Sequence, residues 1–291
     1  MAFKSGFVNI IGNPNVGKST LLNELVGEKL SIITSKAQTT RHRILGIVNG
    51  EEFQIIFSDT PGIVKPVYKL HDSMMKFVRT AITDADIILY VTDVIETWDK
   101  NVQFIEKLNK VAAPVIVAIN KTDLSKPEAI DLLITEWNTH VPKATVMPIS
   151  AKMRFNVPNL FKTILEKLPE GPAYYPVDSL TDKPERFFVT EIVREKIFLN
   201  YQQEIPYSCE VVIDSFKEAE DIVRINAIIH VMRESQKGII IGHKGEMLKK
   251  VGTQARLDIE KFLGKRVYIG LQVKVALDWR NNEKILKRFG Y

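Results

Sequence analysis

The sequence is poor in the features that mark several protein classes. Cys209 is the single cysteine among 291 residues, which excludes an internal disulfide and favours a reducing compartment. Five scattered histidines lack the spacing of zinc ligands, so we expect no structural metal. No apolar stretch approaches the ~20 residues that cross a bilayer, and the N-terminus lacks the pattern of a secretory signal. These absences predict a soluble, cytoplasmic protein.

The length and one proline-rich stretch predict two domains. A chain of 291 residues is about twice the usual size of one domain. Residues 169–176 contain three prolines, which cannot continue a helix and are typical of a stiff linker. We therefore predict domains at residues 1–172 and 184–291, joined by a linker at 173–183. The second domain begins with an apolar helical pattern formed by Phe187, Phe188, Ile192, Val193, Ile197 and Leu199.

A phosphate-binding loop is predicted near the N-terminus. Residues 12–19 match G-x-x-x-x-G-K-[ST] at every fixed position, after an apolar run and before a helical pattern. In such a loop backbone N–H groups surround the phosphates, Lys18 reaches the β- and γ-phosphates, and the Ser19 hydroxyl ligates Mg²⁺. A glycine-rich turn without a ligand is the alternative. The loop residues predicted to bind the nucleotide are Gly12, Asn13, Pro14, Asn15, Val16, Gly17, Lys18, Ser19 and Thr20.

Two later segments predict how the base is recognised. The apolar run 114–119 has the composition of a buried strand and ends in Asn-Lys-Thr-Asp. A carboxylate there can accept hydrogen bonds from N1–H and the 2-amino group of guanine, which adenine does not offer. A second run ends in Ser-Ala-Lys, where a backbone N–H can bond the guanine O6. The predicted base-binding residues are Asn120, Lys121, Thr122, Asp123, Ser150, Ala151 and Lys152.

A third motif predicts a γ-phosphate sensor and a metal site. Asp59-Thr60-Pro61-Gly62 follows a strand-like run; the Asp59 carboxylate is placed to hold Mg²⁺ and the Gly62 N–H to contact the γ-phosphate. A simple turn is the alternative for this motif alone. The polar stretch 36–41 can present a threonine to the metal only when the γ-phosphate is bound. Thr40 is our first choice, with Thr39 as the competing assignment, so the predicted metal ligands are Ser19, Thr40 and Asp59.

Taken together, these motifs resemble the translation-factor class of GTPases and, more narrowly, the Era family. The resemblance extends over almost the whole chain and includes the stretch 33–41, which is similar to the family's first switch. It implies a GTP-hydrolysing switch with an α/β P-loop GTPase domain. It also implies a second, smaller α+β domain of the type II KH fold, binding to the 3′ end of small-subunit ribosomal RNA and a role in assembly of the small subunit. Peripheral association with the inner membrane is a further implication.

One residue predicts an unusual route to hydrolysis. Ras-type GTPases carry a catalytic glutamine after the D-x-x-G motif, whereas this sequence has Ile63. Related GTPases with an apolar residue there use K⁺ held by a phosphate-loop asparagine, and by resemblance Asn15 stands at that position. A turn residue with a local hydrogen bond is the alternative for Asn15. We expect slow hydrolysis that K⁺ accelerates. The predicted catalytic residues are Lys18, Asn15, Thr40 and Gly62, with Ile63 among those near the nucleotide.

The C-terminal part of the sequence predicts RNA binding. Residues 238–291 contain twelve Lys and Arg against five Asp and Glu, a surplus that suits a polyanion. The loop Gly242-His243-Lys244-Gly245 matches the G-x-x-G of KH domains, which clamps the backbone of about four single-stranded nucleotides. A bend between two helices is the alternative. The helix after the loop is predicted to bury Met247, Leu248, Val251, Ala255, Ile259 and Phe262. Residues 239–241 could line the base-binding groove, but burial under the helix is an equally good prediction for two of the three. The predicted RNA-binding residues are Ile239, Ile240, Gly242, His243, Lys244, Gly245, Lys249, Lys250 and Arg256, with Arg280 and Lys284 as further candidates for phosphate contact.

The expected protein is therefore a monomeric GTPase that binds GTP or GDP with Mg²⁺ and controls an RNA-binding domain. Two other functions remain open at this point. In the first, the protein binds RNA passively and GTP only stabilises its fold; RNA affinity would then be independent of the nucleotide state. In the second, the protein modifies RNA at the expense of GTP, although the second domain shows neither an acid–base pair nor a second cofactor loop.

Overall fold

The computed structural model describes residues 2–291, whose contacts form two compact units. The first unit comprises residues 2–31, 40–65 and 74–182. The second comprises residues 183–291 together with two short segments, 32–39 and 66–73, that the sequence places inside the first domain. Residues 173–182, predicted as linker, belong by their contacts to the first unit.

The first unit is built on a six-stranded sheet of order β2-β3-β1-β4-β5-β6. β2 pairs with β3 in the antiparallel sense and the other pairs are parallel. Because consecutive strands lie on both sides of β1, the phosphate loop that follows β1 sits where the strand order reverses, the usual ligand site of open α/β sheets. The strands are β1 (Lys4–Ile11), β2 (Ile44–Asn49), β3 (Phe53–Asp59), β4 (Ile87–Asp93), β5 (Val115–Asn120) and β6 (Thr145–Pro148).

Five helices accompany this sheet. The central strands β4 and β5 are buried along their whole length, as expected for a sheet that helices cover. The helix α2 crosses the division between the units, since its first residues to Ser73 belong to the second unit. The helices are α1 (Lys18–Val26), α2 (Lys69–Thr83), α3 (Val102–Leu108), α4 (Pro127–His140) and α5 (Val157–Lys167).

The second unit packs helices on a three-stranded sheet. The sheet has the order β7-β8-β9, with β7 antiparallel and β9 parallel to β8. β9 is thus an edge strand beside the helices that flank the G-x-x-G loop. The strands are β7 (Glu210–Glu218), β8 (Ile222–Val231) and β9 (Arg266–Val275), and the helices are α6 (Glu185–Asn200), α7 (Ile205–Ser208), α8 (Glu234–Ile241), α9 (Glu246–Leu263) and α10 (Glu283–Arg288).

The apolar core of the second unit follows the predicted helix faces with two exceptions. Val251, Ala255 and Ile259 of α9 are buried against the sheet. Leu199 of α6 is 57% exposed and Phe262 of α9 is 41% exposed, so the predictions that these two lie in the core are wrong. Both stand within the last two residues of their helices, where the neighbouring elements no longer cover every side of the helix.

The two short segments of the second unit are joined to each other and to its C-terminal part. The Tyr68 hydroxyl donates to Gln38 Oε1 at 3.0 Å, which links segment 66–73 to segment 32–39. The Arg280 guanidinium lies over the Tyr68 ring, 4.4 Å from its centroid. Lys69 forms an ion pair with Glu283 at 2.9 Å. These contacts explain why both segments belong to this unit.

Across residues 2–291, every helix is too short or too polar to span a lipid bilayer.

Candidate functional site

The phosphate loop leads from the end of β1 into α1. Gly17 has a φ of 98° and caps α1 without a side-chain hydrogen bond, so N–H groups of the first helical turn can serve an anion. Lys18 is buried, and its ammonium group donates to the Asn13 carbonyl at 2.7 Å. Burial lowers the pKa of Lys18 to about 8, while Asp59 and Glu96 oppose the shift. A phosphate group would compensate this buried charge.

Three oxygen atoms that suit a divalent cation meet beside this loop. Ser19 Oγ donates to Asp59 Oδ2 at 2.6 Å and lies 2.9 Å from Thr40 Oγ1. The other Asp59 oxygen, Oδ1, is buried without a hydrogen-bond partner in the described part of the chain. Burial raises the pKa of Asp59 above its ordinary value, and Lys18 opposes that shift. Hydroxyl and carboxylate ligands with an unpaired oxygen fit Mg²⁺.

The structure distinguishes the two candidate threonines. Thr39 Oγ1 donates to the Lys36 carbonyl at 2.7 Å and lies 2.6 Å from Thr34 Oγ1. Thr40 Oγ1 lies 3.4 Å from Asp59 Oδ2. Of the two, Thr40 is therefore the residue that the structure brings to the predicted metal ligands.

The D-T-P-G segment lies against the phosphate loop. A Cβ atom on Gly62 would stand 2.7 Å from the Pro14 nitrogen, so only glycine fits at this contact. The Thr60 hydroxyl donates to the Ile10 carbonyl at 2.8 Å, and the Ile63 N–H donates to the Gly12 carbonyl at 3.1 Å. The backbone of this segment is thereby held at the phosphate loop, although Ile63 itself brings no polar side chain.

Asn120 holds the phosphate loop and the two base-binding segments together. Its Nδ2 donates to the Val16 carbonyl at 2.8 Å, and its Oδ1 accepts from the Ala151 N–H at 2.9 Å. The side chain is almost completely buried. Its contacts show a structural role that the sequence pattern did not predict, since the pattern suggested only a base-binding residue.

Asp123 and Ser150, both predicted to bind the base, come together in the structure. The Ser150 hydroxyl donates to Asp123 Oδ1 at 2.5 Å, and Asp123 is otherwise exposed. The Ser150 and Ala151 N–H groups donate to Phe155 and Asn120. We therefore propose the Lys152 N–H as the donor to the guanine O6.

The last residue of β4 and the turn after it contain two carboxylates that the sequence analysis missed. Glu96 is buried; its Oε1 accepts from Asn13 Nδ2, and its Oε2 accepts from the Thr92 hydroxyl at 3.1 Å. Asp93 Oδ2 lies 2.6 Å from Lys121 Nζ. This segment thus supports the phosphate loop through Glu96 and the base-binding loop through Asp93. No motif marks it, because its partners are far away in sequence.

The second unit contains a groove of about 600 Å³ between α9 and the edge strand β9. It opens at Gly245 of the G-x-x-G loop, where Gly242 and Lys244 also have positive φ angles of 73° and 48°. Exposed Lys249 lies on the groove, as does Arg256, which pairs with Glu260 at 2.8 Å. The complete lining is Ile222, Gly245, Leu248, Lys249, Gly252, Thr253, Arg256, Val267, Tyr268, Ile269 and Leu271.

The groove changes the list of RNA-binding candidates. Ile240 is completely buried in the core of the second unit, so the prediction that it contacts RNA is wrong; the isoleucine faces the sheet from α8. Ile239 is half exposed, and Gly242, His243, Lys244 and Lys250 stand on or next to the loop without lining the groove. The sequence analysis missed Tyr268 and the small residues at 252 and 253. The available signal for this part of the groove was Gly252, a glycine within the predicted helix, seven residues after Gly245.

Two different protein families match the two parts of the chain. Residues 7–121 match a family described as a 50S ribosome-binding GTPase, and residues 204–280 match the KH domain family. A chloroplastic GTPase ERA1 of Zea mays is 49% identical, with 99% of this chain and 70% of the relative covered. This chain belongs to the Era family of GTPases. The predicted fold, a P-loop GTPase domain followed by a KH domain, is confirmed by both family matches.

Solved Era structures extend the likeness to nearly every residue. Era of Aquifex aeolicus, solved as a variant bound to GDP and AlF4⁻, is 43% identical and superimposes with a TM-score of 0.94 over 99% of both chains. An Era complex with MgGDPNP and nucleotides 1506–1542 of 16S ribosomal RNA is also 43% identical over 99% of both chains, with a TM-score of 0.95. This Era-family protein is accordingly an enzyme that binds and hydrolyses GTP.

Proposed function

We propose that this Era-family GTPase uses GTP, Mg²⁺ and K⁺ to control a clamp for the single-stranded 3′ end of small-subunit ribosomal RNA. Its role is to assist assembly of the small ribosomal subunit. The observation that carries the proposal is the similarity, over 99% of the chain, to an Era protein that holds MgGDPNP and 16S ribosomal RNA nucleotides. We further propose that the protein is a cytoplasmic monomer whose basic C-terminal part permits peripheral association with an acidic membrane.

The nucleotide site supports the GTP-dependent part of this proposal. Ser19, Thr40 and Asp59 supply the oxygen atoms for Mg²⁺, and the metal would neutralise charge on the β- and γ-phosphates. Lys18 and the N–H groups at the start of α1 bind the same phosphates. Since Thr40 belongs to a polar stretch without helix or strand, loss of the γ-phosphate would remove the ligand that orders this stretch.

The groove of the second unit supports the RNA-dependent part. Its floor is apolar where it meets bases, and Lys249 and Arg256 supply charge at its helical wall. The glycines of the loop let a phosphate backbone approach closely. Cations of this kind add affinity for the backbone and little preference for sequence. The base preference is therefore assigned to the edge of β9, where Tyr268 is half exposed.

Potassium is expected to accelerate hydrolysis. Asn15 has a φ of 65°, a conformation that asparagine and glycine both tolerate. The Asn15→Gly variant therefore keeps the backbone but removes the amide oxygen that would hold K⁺. We expect GTP turnover by the natural protein to be about tenfold faster in KCl than in NaCl. This effect is smaller than the roughly 10²–10³-fold loss of kcat that follows removal of one strong electrostatic contact to a transition state. The variant should lose this preference and retain its nucleotide affinity. Equal wild-type rates in both salts would remove Asn15 from the catalytic residues.

Nucleotide control of RNA binding is tested by measuring RNA affinity in both nucleotide states. A fluorescent oligonucleotide matching the rRNA 3′ end is titrated with protein holding GDP or a non-hydrolysable GTP analogue, at one salt concentration. We expect binding to be about fivefold or more tighter in the GTP state, the lower end of typical coupling. Equal affinities would favour the passive RNA-binding function, in which GTP only stabilises the fold.

Loop variants then test whether the G-x-x-G loop belongs to the RNA site. Gly242→Asp with Lys244→Glu should abolish binding in both states, because a Cβ on Gly242 would stand 2.8 Å from the Met247 side chain and the charge is reversed. The matched control is Gly264→Asp with Lys265→Glu, at the other end of α9. It makes the same change in charge at a glycine with a φ of 64° and open space around it. Unaltered RNA binding by the loop variant would exclude the G-x-x-G loop from the RNA site.

A further inference from the structure

Within the second unit, segment 32–39 is held by the C-terminal end of α6. The ammonium group of Lys36 donates to the carbonyl groups of Phe198 and Tyr201, which α6 leaves without helical partners at its end. Arg194, also on α6 and almost completely buried, donates from Nη2 to the Thr39 carbonyl at 3.0 Å. The segment is therefore attached to one helix at two points.

The same helix end also contacts the elements that carry the RNA-binding loop. The Tyr201 hydroxyl donates to the Ile240 carbonyl at 2.6 Å in a buried hydrogen bond, two residues before Gly242. Asn200 Nδ2 donates to Gln254 Oε1 of α9 at 2.6 Å. Burial raises the pKa of Tyr201 to about 12, so its hydroxyl keeps its proton at neutral pH. Tyr201 thus joins Lys36 through its carbonyl and α8 through its hydroxyl.

We propose that Tyr201 is a positioning residue that couples the first switch segment to the RNA-binding loop. The peptide bond after Thr39 leads directly to Thr40, whose hydroxyl lies at Ser19 and Asp59. If the γ-phosphate and the metal bind Thr40, they would restrict the conformations of segment 32–39. Lys36 would then fix the end of α6. Tyr201 then fixes the end of α8 and so the G-x-x-G loop. The inference rests on the proposed control of RNA binding by GTP and names the residues that transmit it.

The test is the ratio of RNA dissociation constants in the GDP and GTP-analogue states, measured on the full chain with the rRNA 3′-end oligonucleotide. In the natural protein we expect a ratio of about five or more. Tyr201→Phe removes only the hydroxyl, and Lys36→Met removes the ammonium group that donates to the Phe198 and Tyr201 carbonyls. Each should reduce the ratio to about one to two. The double variant should show no further reduction, because both changes interrupt one connection.

Lys196 of α6 provides a matched control for the Lys36→Met substitution. Lys196 is more buried than Lys36, and its described ion pairs go to Glu195 and Asp258. Lys196→Met should leave the ratio unchanged. Lys36→Arg, which keeps a positively charged donor at position 36, should retain the wild-type ratio. Thermal unfolding of each variant with GDP bound checks that the second unit is folded.

Three results would overturn the proposal. An unchanged ratio in Tyr201→Phe and Lys36→Met, with wild-type control of RNA binding intact, excludes Tyr201 as the connection but leaves GTP control standing. Equal weakening of RNA binding in both states by Tyr201→Phe makes Tyr201 a purely structural residue. A wild-type ratio of one defeats the proposed GTP control, and the coupling role with it.

Discussion

The Asp123→Asn substitution is expected to weaken GTP binding by about 10⁴-fold, the penalty when a site built for particular hydrogen bonds meets a base that cannot make them. The amide oxygen can still accept from the Ser150 hydroxyl, which donates to Asp123 Oδ1 at 2.5 Å, so the loop should keep its shape. The amide NH₂ group, however, would face the 2-amino group of guanine, donor against donor.

The same substitution should create affinity for xanthosine triphosphate. Xanthine carries a carbonyl in place of the 2-amino group, which the new amide NH₂ can donate to, while N1–H still finds the amide oxygen. Competition titrations against a fluorescent guanine nucleotide measure both affinities. Asp131→Asn, at an exposed position on α4, is the control and should change neither. Undiminished GTP affinity in Asp123→Asn would show that another group reads the base.

The Gly17→Ala substitution is expected to lower the affinity for GTP and GDP by at least about 10³-fold. A Cβ atom on Gly17 would stand 2.2 Å from Asn120 Nδ2, and the φ of 98° is one that alanine rarely adopts. Relief of the clash must move Asn120, which bonds both Val16 and the Ala151 N–H. One methyl group thereby disturbs the phosphate loop and the base site together. Isothermal titration with GDP measures the loss.

Gly27→Ala is the matched control, because Gly27 caps the other end of the same helix. Its φ of 80° imposes a similar backbone strain, but no atom lies within 4 Å of the added methyl group. The expected result is a loss of stability of about 1–2 kcal/mol without a change in nucleotide affinity. If the two variants lost affinity equally, strain in α1 and not the contact with Asn120 would explain the effect.

The nucleotide motifs were predictable because each occupies a few consecutive residues at the end of a strand. The phosphate loop follows β1, and the base-binding Asn-Lys-Thr-Asp follows β5. Parallel strands bring their carboxyl ends to one edge of a sheet, so local patterns and strand order predicted which segments would meet. The role of Asn120 as a bridge to Val16, 104 residues away, has no local pattern.

The groove that we propose to bind RNA was less predictable for a related reason. A G-x-x-G loop is visible in the sequence, but its groove needs an opposite wall, and β9 became that wall through its pairing with β8. The apolar pattern of α8 left open which of its isoleucines face the core. It could not decide that Ile240 is covered while Ile239 is half exposed, because the covering elements come from other parts of the chain.

The sequence by itself determined that this protein has a P-loop GTPase domain and a KH domain, since contiguous motifs carry the chemistry of phosphate and guanine binding. Tertiary structure alone decided which threonine stands at Asp59, which buried carboxylate supports the phosphate loop, and that segment 32–39 belongs to the second unit. The physical reason is distance along the chain. Lys36 and Tyr201 are 165 residues apart, and a hydrogen bond between such residues exists only after the fold has brought them together.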